Sequence, residues 1–175
     1  MATPSTTTSI NASSARVFEV ISDPTTYPDW LIGAQGIRKV DPDWPAPGSS
    51  FHHRVGVGPL HVADRTTVLH VHEPKRLSLR AHIGPVGSAD VTFVLRERDG
   101  ATQVELDERP SDGLLNAVWF TVGRPLLAFG MWGRNDVSLS RLKTYIEAGA
   151  DDGEDDSGNG PLDNRRASDT ADPDQ

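Results

Sequence analysis

The residues of this chain with chemistry to offer are a few histidines, one carboxylate and an arginine–asparagine pair. His52 and His53 are neighbours in "SFHHRVGV" (50–57). Side chains alternate across a strand, so only one of the two faces inward. Phe51, His53, Val55 and Val57 form the more apolar row, which takes His53 with it. A buried neutral imidazole there acts as a general base or orients a polar ligand atom. The alternative is a structural histidine, hydrogen-bonded at a rim. Glu108 continues the row of Val104 and Leu106, which places a carboxyl at the end of an apolar face. Such a setting suits a proton donor or base. Otherwise Glu108 pairs with an arginine such as Arg134, or is solvated at a cavity mouth. Arg134 has the planar fork that binds carboxylate or phosphate. An inward Asn135 needs a backbone or ligand partner; anchoring of helix to sheet is the structural alternative for both. His53 and Glu108 are therefore the catalytic candidates.

Two further constellations carry less. His70 and His72 have the His-x-His spacing of a chelate. Leu69 and Val71 take the apolar row of that strand, however, which leaves both histidines on the wet side, and no third ligand is placed nearby. No metal and no cofactor are expected. Asp64 interrupts Leu60 and Val62 and marks either a bulge or a polar contact with a cavity, and the alternation there is too irregular to choose between them.

The elements that must position these groups follow from punctuation. "TTTSIN" (6–11) reads as a short strand. Ser13 is a plausible N-cap, with Ala12 and Val17 as a weak staple. Val17, Phe18 and Ile21 lie on one face of a helix of about two and a half turns, which Pro24 stops. "TTYPDWLI" forms a second short helix or turn, with Trp30 as an apolar plug, and "GIRKVD" a strand. Five strand-like runs follow, separated by "GPL", "EPKR", "GPVG" and Asp99-Gly100. The last of these is a hairpin signal because both positions tolerate positive φ. Short connections make the sheet antiparallel. Leu77, Leu79, Ala81 and Ile83 alternate with Arg76, Ser78, Arg80 and His82, and Val91, Phe93 and Leu95 share one side with Glu97 continuing their row. One face is apolar and must be covered. The cover is a helix from about Pro125 to Ala148, with Ala128, Met131, Trp132, Asn135, Leu139, Leu142 and Ile146 on one stripe and Gly149 as its stop.

Composition bounds the rest. Residues 149–175 hold nine acidic and two basic residues, a net of −7 in a chain of −8. That stretch has almost no large apolar side chain and reads as an acidic disordered tail after a domain at 1–148. The domain is near-neutral with no basic stripe, so nucleic acid is not expected as a partner. The chain has no cysteine, which excludes disulfides, thiol nucleophiles and thiolate metal sites and suits a cytoplasmic location. Leu114 to Trp132 is long and apolar, but Arg124 and Pro125 in its middle argue against a transmembrane span. "MATPSTTTSI" carries no secretory signal.

The order strand, two short helices, antiparallel strands and long helix, opened by "VFEVISDPTTYPDW", resembles the START-like (SRPBCC) superfamily of helix-grip proteins. "VDPDWPAPG", "HHRVGVGPL", "EPKRLSLRA", "DERP" and "RN" before "LSRLK" narrow the resemblance to small stand-alone bacterial members of polyketide cyclase/dehydrase and lipid-transport type. Ser14 and Arg16 stand where the family often has a proline and glutamates, which changes capping rather than chemistry. The resemblance implies an α+β helix-grip fold, a curved antiparallel β-sheet of about seven strands wrapped on a long C-terminal helix, with two short helices after strand 1. It also implies a cavity between sheet and helix for a hydrophobic small molecule. Trp30, Phe51, His53, Phe93, Glu108, Met131, Arg134 and Asn135 are the expected ligand-binding residues. Three functions stay open at this point. They are binding of a lipid- or polyketide-like molecule, a cyclase/dehydrase-type enzyme, and a co-chaperone-like interaction module that presents a broad apolar patch. In the enzyme, His53 or Glu108 would shuttle a proton while Arg134 and Asn135 polarise a carbonyl and stabilise an enolate.

Overall fold

A computed structural model describes residues 5–57, 60–83, 87–112 and 124–151. Side chains of 35, 55–57, 60–63, 83, 124–133 and 150–151 lie outside that description, as does the sequence reading of 152–175 as a tail.

Seven strands form one antiparallel sheet: β1 (Thr6–Ile10), β2 (Ala34–Val40), β3 (Ser50–Val57), β4 (Leu60–His72), β5 (Arg76–Ile83), β6 (Gly87–Arg98) and β7 (Ala101–Asp112). Their order is β1-β7-β6-β5-β4-β3-β2. The chain therefore crosses from one sheet edge to the other between β1 and β2. That crossing contains α1 (Ser14–Ser22), a single 3₁₀ turn (Pro24–Thr26) and α2 (Tyr27–Trp30). The long α3 (Arg124–Asp151) closes the domain. This is the α+β helix-grip arrangement expected from the order of elements.

Local chemistry explains the boundaries. The Ser13 hydroxyl accepts the Arg16 amide, capping α1. Asp23 ends that helix and accepts the Thr25 amide, starting the turn that carries Pro24. Asp99 at φ 52° and Gly100 at φ 79° form the β6–β7 hairpin with both turn residues left-handed.

The helix boundary needs one correction. Gly149 does not stop α3, which runs on to Asp151. A glycine in a helix costs about 1 kcal/mol relative to alanine without forbidding the conformation, and the Arg16 guanidinium lies beside Gly149.

The apolar sheet face is covered in two ways. At the β6–β7 hairpin end, α1 and the later turns of α3 fill it. Val17, Phe18, Ile21, Val104, Leu139, Leu142 and Ile146 are all buried there in one core. Glu97, which continues the inward row of β6, ends it by accepting the Ser14 amide at 2.7 Å, and so ties α1 to the sheet. Thr102 on β7 donates to the Ala12 carbonyl at 2.7 Å from the same end. Towards the other end, α2 brings its aromatics onto the sheet. Trp30 is fully buried, edge-on to Tyr27 at 5.0 Å and to Phe93 at 6.2 Å. Tyr27 in turn meets Phe51 edge-on at 5.3 Å.

The reading of β4 is corrected by its pairing. Val68 pairs Leu79 and His70 pairs Ser78, so Leu69 is an extra residue in a bulge. Asp64, Thr66 and Val68 are buried and share the inner row, whereas Leu69 is only half-buried. Beyond the bulge Val71 packs against the core, and His70 and His72 are exposed.

Candidate functional site

Between the sheet, α2 and α3 lies a cavity of about 90 Å³. Its floor is apolar, made by Leu79, Ala81, Val91, Phe93 and Leu106 of β5, β6 and β7. Tyr27, Trp30 and the segment Leu31–Ala34 form one wall, and Arg134 and Asn135 of α3 close another. Segment 31–34 turns through Gly33 at φ 88°, a left-handed conformation that suits glycine. The Ile32 amide donates to the Ser138 hydroxyl at 3.2 Å, clasping this segment to α3.

Two polar stations interrupt the apolar lining, one on the β3–β4 hairpin and the other on β7, with β5 and β6 between them. The first is on the β3–β4 hairpin. Val57 pairs Leu60 next to the short connection, and four steps out along the ladder His53 faces Asp64. His53 is 5% exposed and Asp64 6%, so both are withdrawn from water. Nε2 of His53 lies 3.2 Å from the Thr66 hydroxyl and 3.8 Å from the Asp64 carboxylate. Nδ1 is buried and has no partner among the described residues. Burial pushes His53 down to about 4, helped by the neighbouring charge of His52. Burial likewise pushes Asp64 up to about 6, against the pull of the Arg65 amide, which donates to Oδ1 at 2.6 Å. Each shift has desolvation as its main cause.

The second station is Glu108 on β7, whose side chain is 7% exposed. Nη2 of Arg134 reaches both its oxygens at 2.5 Å. The carboxylate is thus engaged as an ion-pair acceptor, and acting as acid or base would require breaking that contact first. Arg134 itself is half-exposed, while Asn135 beside it is buried against the cavity.

The structure brings Trp30, Phe51, His53, Phe93, Glu108, Arg134 and Asn135 to one cavity. Met131 lies on α3, but its side chain is outside the described residues. Of the two alternatives for Glu108, pairing with Arg134 is what the structure contains. Asp64, left open between a bulge and a polar cavity contact, is a lining residue, and Thr66 is one that the row pattern did not select. A signal for them existed: the connection of two residues after Val57 fixes which residues face each other along the hairpin.

An antiparallel sheet gripping a long helix, with an apolar cavity between them, defines the helix-grip class of ligand-cavity folds. The chain belongs to the polyketide cyclase / dehydrase and lipid transport family, whose model matches residues 1–147. Among solved structures it is similar to protein CV1439 from Chromobacterium violaceum, at 15% identity and TM-score 0.61, covering 84% of this chain and 99% of that one. It is also similar to SA2116 from Staphylococcus aureus, a protein of unknown function, at 9% identity and TM-score 0.64, covering 85% and 96%. A third similar structure is DynU16, a protein in the dynemicin biosynthetic locus, at 24% identity and TM-score 0.58. There the match covers 83% of this chain and 47% of the neighbour. At these identities the likeness is one of fold. No curated protein matched the sequence. Among the described residues, no helix is long and apolar enough to cross a membrane.

Proposed function

We propose that the protein binds a hydrophobic or aromatic small molecule in the cavity between the sheet and α3. The observation that carries this reading is the apolar floor of Leu79, Val91, Phe93 and Leu106, which lines a cavity bounded by Arg134 and Asn135 of α3. Pockets for drug-sized ligands run to roughly 300–1,000 Å³. The smaller volume here favours a single-ring molecule, or one ring or chain segment of a larger lipid- or polyketide-like one. Family membership supports the same reading. Native mass spectrometry of the purified protein, with solvent extraction of anything retained, tests it. The expected result is a non-covalent adduct that extraction releases. Absence of any adduct, together with no uptake of aromatic probes, would end the proposal.

A second reading, an enzyme of cyclase/dehydrase type, is favoured by the buried imidazole set against a buried carboxylate in the same cavity. A neutral His53 would take a proton, and Arg134 and Asn135 would polarise a carbonyl. Under this reading Glu108→Gln and His53→Ala lose turnover and keep ligand affinity. Retained turnover in both variants would remove these residues from the mechanism. The interaction-module reading has less behind it: the exposed large hydrophobics among the described residues are Val137 and Tyr145 on α3.

A further inference from the structure

We propose that the cavity selects an apolar molecule bearing a hydrogen-bond donor, a phenolic or enolic hydroxyl or a ring N–H, and holds it on Nδ1 of His53. Asp64 is the positioning residue that keeps the ring proton on Nε2. This rests on the small-molecule reading above and adds the chemistry that the guest must present.

The argument starts from what a neutral imidazole offers: one nitrogen donates and the other accepts. Nε2 faces the Thr66 hydroxyl at 3.2 Å and the Asp64 carboxylate at 3.8 Å. The hydroxyl accommodates either tautomer. The carboxylate does not, because an ionised carboxylate is acceptor-only and repels a lone pair. Asp64 therefore draws the proton to Nε2, and the lone pair falls on Nδ1. That atom is buried and without a partner among the described residues. A buried polar atom left unsatisfied costs about 1–3 kcal/mol, and because Nδ1 is closed off as well as unpartnered, a guest's donor reaches it by a small displacement of the His53 ring toward the cavity. The surroundings say what kind of molecule brings it. Phe51 stacks at a tilt on the His53 ring, with centroids 5.0 Å apart, and the cavity floor is aliphatic and aromatic. A hydroxyl on an aromatic or otherwise apolar body satisfies both demands. A methyl ether of the same shape satisfies only the second. Ionised Asp64 requires pH above about 6, and His53, held near 4, is then neutral.

The test has two arms, both at pH about 7.5. Nitrogen chemical shifts of the His53 ring, read by NMR on the ligand-free protein, should give a protonated Nε2 and a bare Nδ1. A protonated Nδ1 overturns the proposal. In the second arm 4-ethylphenol and 4-ethylanisole are titrated against wild type and Asp64→Asn, with near-UV circular dichroism to confirm that the variant is folded. Wild type should prefer the phenol by about fivefold, the scale of one net hydrogen bond. Asp64→Asn, whose amide can donate to Nε2 and move the ring proton to Nδ1, should lose or reverse that preference. Equal affinities in wild type reject donor selection but leave the apolar cavity reading standing. Binding of neither probe rejects this proposal, and joined to an absence of any adduct in native mass spectrometry it ends the small-molecule reading as well. A preference unchanged in Asp64→Asn rejects the positioning role.

Discussion

In an unfolded chain near pH 5, a histidine carries a proton and an aspartate does not. In the folded protein His53 is held down to about 4 and Asp64 up to about 6, so near pH 5 the proton sits on the aspartate instead. The two shifts act oppositely on stability. Between about 4 and 6.5 the unfolded state binds more protons at His53, so that contribution to stability rises with pH. Between about 3.8 and 6 the folded state binds more at Asp64, so its contribution falls with pH. The windows nearly coincide, and the pair contributes almost no net slope. Removing one partner uncovers the other. Relative to wild type, Asp64→Asn should gain unfolding free energy on going from about pH 4.5 to 6.5, by on the order of 2–3 kcal/mol. His53→Gln should show the opposite slope. Denaturant titrations at the two pH values check both, and parallel profiles for all three proteins would contradict the coupling.

Asp64 shows what a row pattern reads well and where it fails. Counted forward from Leu60 and Val62, strict alternation sends residue 64 inward, and counted backward from Leu69 and Val71 it sends it outward, so the rows alone leave Asp64 open. The bulge at Leu69 breaks that parity, so the inner row before it is Asp64, Thr66 and Val68. Alternation is a local rule, and a bulge depends on how β4 must bend to pair with β5. Where strands were regular, the sequence was enough: His53, Phe93 and Glu108 all face the cavity that their rows indicated. The sequence offered Arg134 as one of several alternatives for Glu108, and the structure contains that pairing. That ion pair predicts an asymmetry. Arg134→Met leaves Glu108 nearly buried and uncompensated and should cost about 1–3 kcal/mol. The double variant Arg134→Met/Glu108→Gln should recover most of that loss in denaturant unfolding. An undiminished cost in the double variant would assign the effect to Arg134 packing instead.

Over the whole molecule, the succession of strands and the antiparallel hairpins from β3 to β7 were readable because turns and alternation are written into short stretches, whereas the pairing of β1 with β7 is written in none of them. Whether the sheet face is filled was not readable either. The cavity exists because α1 and the later turns of α3 fill the hairpin end, while α2 brings Tyr27 and Trp30 to its edge without filling the floor. That balance is a sum of side-chain volumes over several elements, and no single row records it. One wall of the resulting space is held differently from the rest. Residues 31–33 are clasped to α3 by the Ile32 amide on Ser138, whereas Ala34 and the floor belong to a continuous ladder. A single hydrogen bond contributes about 1 kcal/mol net, and Leu31 and Ala34 also pack against the core, so losing the clasp loosens this wall without releasing it. Ser138→Ala should therefore speed both entry and exit of 4-ethylphenol in stopped-flow measurements while leaving its equilibrium constant nearly unchanged. An altered equilibrium with unchanged rates would place Ser138 in the binding surface instead. How tightly a guest is held would then be decided at the sheet, and how long it stays would be decided at the clasp.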